Sequence, residues 1–166
     1  MSDDSGPTPA PWRAGKRPYG TGLTYETAKK MVEAGVKEAE RLGVPMVIAV
    51  ADAGAHLLAF GRMDETMLFS VNAAMDKAFA AAMAKLPSFW WVEEFQKRKF
   101  VPIFIHDRFI SLPGGFPIIR DGKILGGIGV SGGTVEDLDV AKAVLEAGGF
   151  STEEVEKAMA ADPDRH

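Results

Sequence analysis

The chain has 166 residues, enough for one domain with a buried core. Its net charge of −4, with 25% charged and 46% hydrophobic residues, describes an ordinary globular surface and argues against nucleic acid or an anionic membrane as partner. There is no cysteine, which excludes disulfides, thiolate metal ligands and a cysteine nucleophile.

No run approaches the ~18 apolar residues of a membrane span. Residues 1–6 are acidic and lack the apolar stretch of a secretion signal, so the expected location is cytoplasmic. Residues 1–22 hold four prolines and four glycines and read as a flexible arm, leaving residues 23–166 as a single domain.

A first helix is predicted from Thr24 to Leu42, where Ala28, Met31, Val32, Gly35, Val36, Ala39 and Leu42 recur at helical spacing. Gly43 suits its C-cap and Pro45 blocks continuation. Val44–Ala51 is a continuous apolar run rich in β-branched residues, which predicts a buried strand. Asp52-Ala53-Gly54-Ala55 turns the chain into a second strand over His56–Met63. A second helix over Leu68–Lys85 takes Val71, Ala74, Met75, Ala78, Phe79, Ala82 and Met83 as its apolar face. Its many alanines make it thin enough to approach a sheet or another subunit closely.

Leu86-Pro87-Ser88 ends that helix, and Ser88 is placed to cap a short one through Trp90, Trp91, Phe95 and Arg98. Phe100–Ile105 reads as an extended apolar segment with Pro102 arguing for an edge or loop. Phe116–Ile119 and Lys123–Val130 form a hairpin about Asp121-Gly122, a dipeptide suited to the positive φ of tight turns. Ser131-Gly132-Gly133-Thr134 then leads into a third long helix over Val135–Ala147, with Thr134 as N-cap and Asp137 three residues on. Ser151 and Glu154 begin a last helix ending near Ala160. This order predicts an α/β fold with an antiparallel sheet of four or five strands flanked by helices.

The stretch from Gly43 to Leu57, Arg62-Met63-Asp64, Lys77-Ala78-Phe79 and the glycine-rich ribbon from Pro113 to Thr134 resemble, in order and spacing, the GlcG/HbpS family. That family includes the C-terminal domain of PduO-type proteins and small haem-binding proteins. The resemblance covers residues 22–148 and implies a profilin-like α/β/α sandwich that forms closed homo-oligomers. It also implies a small-molecule ligand, a tetrapyrrole such as haem or another carboxylate-bearing compound. The segment 86–112 departs from the family pattern, and its aromatics suit a pocket wall, a lid or an oligomer contact.

Several residues are candidates for chemistry. The amides at Gly132, Gly133 and Thr134, at a helix N-terminus, suit a carboxylate or propionate. Arg62 could clamp a carboxylate with Asp64 orienting it, or the two could simply pair with each other. His106, next to Asp107, is the better histidine for a general base or haem ligand, ahead of His56, with His166 at the terminus. Asp52 is a candidate base that also fits a turn, and Lys77 could face solvent or a ligand acid in a neighbouring subunit. No HExxH, no histidine pair four apart and no nucleophile elbow occurs, so no metal site is expected and a hydrolase is disfavoured. The alternative to a binding protein is an enzyme performing acid/base chemistry on a small organic acid or biosynthetic intermediate, using His106 or Asp52. A third is a partner-binding module without a ligand.

Overall fold

The computed structural model describes residues 22–99 and 107–161. In chain order the elements are α1 (Tyr25–Leu42), β1 (Val47–Asp52), β2 (Leu57–Arg62), α2 (Phe69–Ala84), α3 (Trp90–Arg98), β3 (Gly115–Arg120), β4 (Lys123–Ser131), α4 (Glu136–Ala147) and α5 (Thr152–Ala160). The strands form one antiparallel sheet in the order β2-β1-β4-β3. Four strands are therefore present among the described residues, and the extended segment expected at 100–105 lies outside them.

Caps explain why the helices begin and end where they do. Thr24 Oγ1 accepts from the Thr27 amide at the start of α1, and Gly43 closes it in the left-handed region at φ 70°. Ser151 Oγ accepts from the Glu154 amide at the start of α5, as the serine–glutamate spacing predicts. The β3–β4 turn uses Asp121 and Gly122 at φ 51° and 71°, the paired positive values of a tight hairpin turn.

The two faces of the sheet are packed differently. On one side α1 and α4 bury Met31, Ala39, Val140, Val144 and Leu145 against Ile48, Val50, Ile128 and Val130. On the other, α2 lies almost on the backbone, with Ala74 and Ala78 against Val47, Ala49 and Ala51. Gly127 and Gly129 of β4 make this approach feasible. A Cβ at Gly129 would fall 1.9 Å from the Ala74 carbonyl oxygen, and one at Gly127 would fall 2.4 Å from that of Ala78.

The face that α2 turns inward keeps Ala74, Ala78 and Ala82 of the predicted one but is turned towards Ser70, Ala73 and Lys77. Ser70, Ala73, Ala74, Lys77, Ala78, Ala80, Ala81 and Ala82 are buried, whereas Met83 is 56% exposed. Small residues make the closest contact, because glycine backbone on β4 leaves no room for more than a methyl, and Val71 and Met75 pack against the edge of the same cluster. Ser88 does not cap α3, which starts without a side-chain cap at Phe89. Its hydroxyl instead donates to the Leu112 carbonyl and accepts from the Gly115 amide at 3.0 Å, tying the entry of α3 to β3.

Candidate functional site

A cavity of about 450 Å³ opens where β4 hands over to α4 and α2 begins. Its walls include Met67, Phe69, Leu112, Val135 and Leu138, and its floor carries Ser70, Lys77, Ser131 and Asp137. Such a volume suits a small organic ligand, for which pockets run from about 300 to 1,000 Å³. Around the mouth, Met67, Phe69 and Val135 are each more than 60% exposed, an apolar rim over a polar base.

The base is organised by Lys77. Its side chain is 2% exposed, and Nζ donates to the Val130 carbonyl at 2.7 Å and to Asp137 Oδ2 at 2.8 Å. Burial pushes the Lys77 ammonium below its ordinary value, while the hydrogen bond and charge of Asp137 pull it back. The solvent-facing or intersubunit role expected for Lys77 is corrected: it is an internal bond between α2, β4 and α4. The signal for this was present in the sequence, since Lys77 follows Ser70, Ala73 and Ala74 at helical spacing and so shares their face.

Asp137 has a second duty. Its Oδ1 accepts from the Gly133 amide at 2.9 Å, while Glu136 Oε2 accepts from the Thr134 amide at 2.9 Å and the Thr134 hydroxyl at 3.1 Å. The Thr134 amide, then its own amide and the Thr134 hydroxyl, hold the Glu136 carboxyl below the usual range. The predicted cap is thus inverted. Thr134 does not cap the helix; the acidic residues reach back to amides that precede it. Gly132, Gly133 and Thr134 do line the cavity, but the Gly133 and Thr134 amides are already engaged by the chain's own carboxylates.

The other candidates lie elsewhere. Arg62 and Asp64 are exposed and outside the lining of this cavity, and no ion pair joins them. Arg62 nevertheless shares a cross-strand row with Val47 and Ser131, which puts its Cα two strand spacings, roughly 10 Å, from the cavity floor. Asp52 ends β1 at the far side of the sheet, five residues along from Val47. Its Oδ1 accepts from the Gly54 amide at 2.8 Å and the His56 amide at 2.9 Å, with His56 Nδ1 at 3.3 Å. That is a turn-forming aspartate, and the strand separates it from the cavity by about 17 Å. His106 lies outside the described residues. Among the described residues there is no cluster of three or more His, Asp or Glu able to hold a metal ion, and no helix long and apolar enough to cross a membrane.

Residues 23–146 match the model of the family described as "Haem degrading protein HbpS-like". The chain belongs to this HbpS-like family. Among curated relatives it is 36% identical to Protein GlcG of Escherichia coli K12 over 109 residues, 66% of this chain and 81% of GlcG. It is 30% identical to the corrinoid adenosyltransferase PduO of Citrobacter freundii over 129 residues, 75% of this chain but only 38% of PduO. Among solved structures, Klebsiella pneumoniae ORFY superposes with a TM-score of 0.72 at 30% identity, covering 76% of this chain and 90% of that one. The PduOC:Heme complex gives 0.70 at 28% identity, covering 75% and 94%. The antiparallel α/β fold of this HbpS-like chain is therefore that of its family.

Proposed function

We propose that this HbpS-like protein binds haem or a related carboxylate-bearing small molecule in the cavity between α2, β4 and α4. The observation that carries the reading is the cavity's two-part build. Exposed Met67, Phe69 and Val135 surround a floor in which a buried serine, lysine and aspartate meet. An amphipathic ligand matches that arrangement, with its apolar body against the rim. Relatedness to a haem-degrading family and to the protein of a PduOC:Heme complex supports a tetrapyrrole as that ligand.

The residues present fit haem in chemistry. Met67 would offer a thioether to the iron, and Leu112, Val135 and Leu138 would give apolar contact to a macrocycle. Gly132, Gly133 and Thr134 act as a backbone wall rather than as an anion cradle, since the Gly133 and Thr134 amides serve Asp137 and Glu136. Arg62, at the end of β2 and the outer end of the Ser131 row, is a charge beyond the rim for a carboxylate projecting from the mouth, and Asp64 follows in the loop after β2. Bound haem would supply a redox-active iron centre; the chain's own part is to hold and desolvate it.

The same apolar rim supports a homo-oligomer. Leu68 is 77% exposed beside Met67 and Phe69, and on β2 the α2 side of the sheet leaves Leu57 and Phe60 exposed. A second copy of the chain over these residues would remove them from water.

Haemin titration followed by absorbance tests the assignment. The expected result is a Soret shift that saturates at one equivalent per chain. Thr134→Trp, at an exposed lining position, narrows the mouth and weakens haemin binding by at least about tenfold. Equal affinity in the two proteins would move the site elsewhere.

A further inference from the structure

Ser70 stands in the first turn of α2, 1% exposed, on the cavity floor, and its Oγ makes no hydrogen bond among the described residues. A buried hydroxyl without a partner is costly, so its retention in a tightly packed helix points to something outside the chain that satisfies it. The surrounding groups say what kind of atom that is. Asp137 spends both carboxylate oxygens, one on Lys77 and one on the Gly133 amide. Lys77 spends two of its three N–H groups, on Val130 and Asp137. The nearby Ser131 hydroxyl lines the same floor. Each Asp137 oxygen thus already accepts one donor, whereas one Lys77 N–H and the Ser70 O–H have no acceptor among the described residues.

The helix ends add to this. α4 begins with Glu136, Asp137 and Asp139, which compensate its positive end. α2 begins with no capping side chain and no acidic residue in its first turn; its Ser70 and Val71 amides meet the Met67 and Leu68 carbonyls, so no side-chain charge offsets the positive end of this 16-residue helix at the turn that carries Ser70. The donors without an acceptor and the helix polarity agree on a negatively charged acceptor.

We propose that the cavity floor is a carboxylate subsite, in which Ser70 Oγ–H at the N-terminus of α2 donates to a ligand carboxylate oxygen whose apolar body lies against Met67, Phe69 and Leu112. This rests on the binding role of the cavity proposed above and specifies which end of the ligand goes in. The carboxylate has two sources, a propionate of the tetrapyrrole or the head of a free aliphatic acid.

The test uses four probes on the full chain and on Ser70→Ala: haemin, haemin dimethyl ester, octanoate and octanol. Absorbance reads the first pair and calorimetry the second. Ser70→Ala removes an unpartnered hydroxyl, so its Tm is expected at or above that of the parent, which separates folding from binding. The expected result is that at least one acid binds tighter than its uncharged counterpart, and that Ser70→Ala weakens the acid about tenfold while leaving the ester or alcohol unchanged. Loss confined to haemin identifies the propionate. Loss confined to octanoate, with no haemin binding, keeps the subsite and removes the haem assignment. Haemin binding that is equal in both proteins, with octanoate no better than octanol, overturns the subsite and leaves the haem assignment standing. Failure of all four probes rejects both.

Discussion

Lys77 Nζ sits 2.8 Å from Asp137 Oδ2, with the two side chains 2% and 5% exposed. The pair joins the middle of α2 to the first turn of α4 across the end of β4, because Nζ also takes the Val130 carbonyl. A single buried ammonium therefore fixes how the cavity floor is assembled. Burying two charges is offset here by good geometry and by the extra partners of each, Val130 for the lysine and Gly133 for the aspartate.

Breaking the pair from one side should be far worse than removing it. Asp137→Ala leaves the Lys77 ammonium buried without its counter-charge and is expected to cost about 3–5 kcal/mol, read from urea unfolding. The double replacement Lys77→Met with Asp137→Leu is expected to recover most of that loss. A double variant as unstable as the single would show that packing, not charge, dominates at this position.

The pH dependence of the same lysine has a definite sign. Burial lowers the Lys77 ammonium from 10.5, so over a window below that value the unfolded chain binds a proton that the folded chain has released. Stability then rises with pH across the window and levels off near 10.5. Unfolding free energies of the parent minus those of Lys77→Met, from neutral pH upward, should show this rise. A flat difference would mean that the lysine keeps its proton throughout.

Gly129 allows the helix to lie on the sheet. A Cβ there would be 1.9 Å from the Ala74 carbonyl oxygen and 2.6 Å from the Ala78 amide nitrogen, both backbone atoms that cannot swing aside. Gly129→Ala is therefore expected to cost at least about 3 kcal/mol, at the upper end of overpacking effects, and to show as a lower urea midpoint. At Gly43, where an added Cβ meets nothing within 4 Å but φ is 70°, alanine strains the backbone alone and should cost about 1 kcal/mol. Comparable losses at the two glycines would argue against close helix–sheet contact.

Much of this architecture was legible in the chain because period and punctuation agree. The stripe of α1, the β-branched run of β1, the Asp121-Gly122 turn and the Ser151 cap each specify one local structure, and the observed elements follow them within a few residues. The floor of the cavity was not legible in the same way. Hydropathy places a lysine outside, and only the small residues flanking Lys77 on its helix face signal the opposite. The glycine-rich approach to α4 suggested open amides, but Glu136 and Asp137 fold back and take two of them. Local patterns cannot report such competition, because it depends on where a carboxylate one turn away comes to rest.

Glu136 gives that competition a measurable pH signature. The Thr134 amide, ahead of its own amide and the Thr134 hydroxyl, holds the Glu136 carboxyl below its usual 4.5. A depressed carboxylate contributes stability that is present above 4.5 and lost as pH falls through the folded value. Glu136→Gln should therefore be less stable than the parent at neutral pH, with the two converging as the solution is acidified below 4.5, by thermal unfolding across that range. A constant gap would assign the loss to geometry instead of charge.

Arg62 tests how far the ligand extends beyond the cavity. Its exposed guanidinium stands in the same cross-strand row as Ser131 with Val47 between them, so it can meet only a group that projects past the rim. Exposed charges of this kind contribute about 0–1 kcal/mol and are screened by salt. Arg62→Ala is accordingly expected to weaken haemin by less than about fivefold, with the effect shrinking as ionic strength rises, whereas Thr134→Trp at the mouth costs at least about tenfold at any salt. A loss at Arg62 that equals the loss at Thr134 and persists in high salt would place the ligand's charged end on β2 rather than over α2.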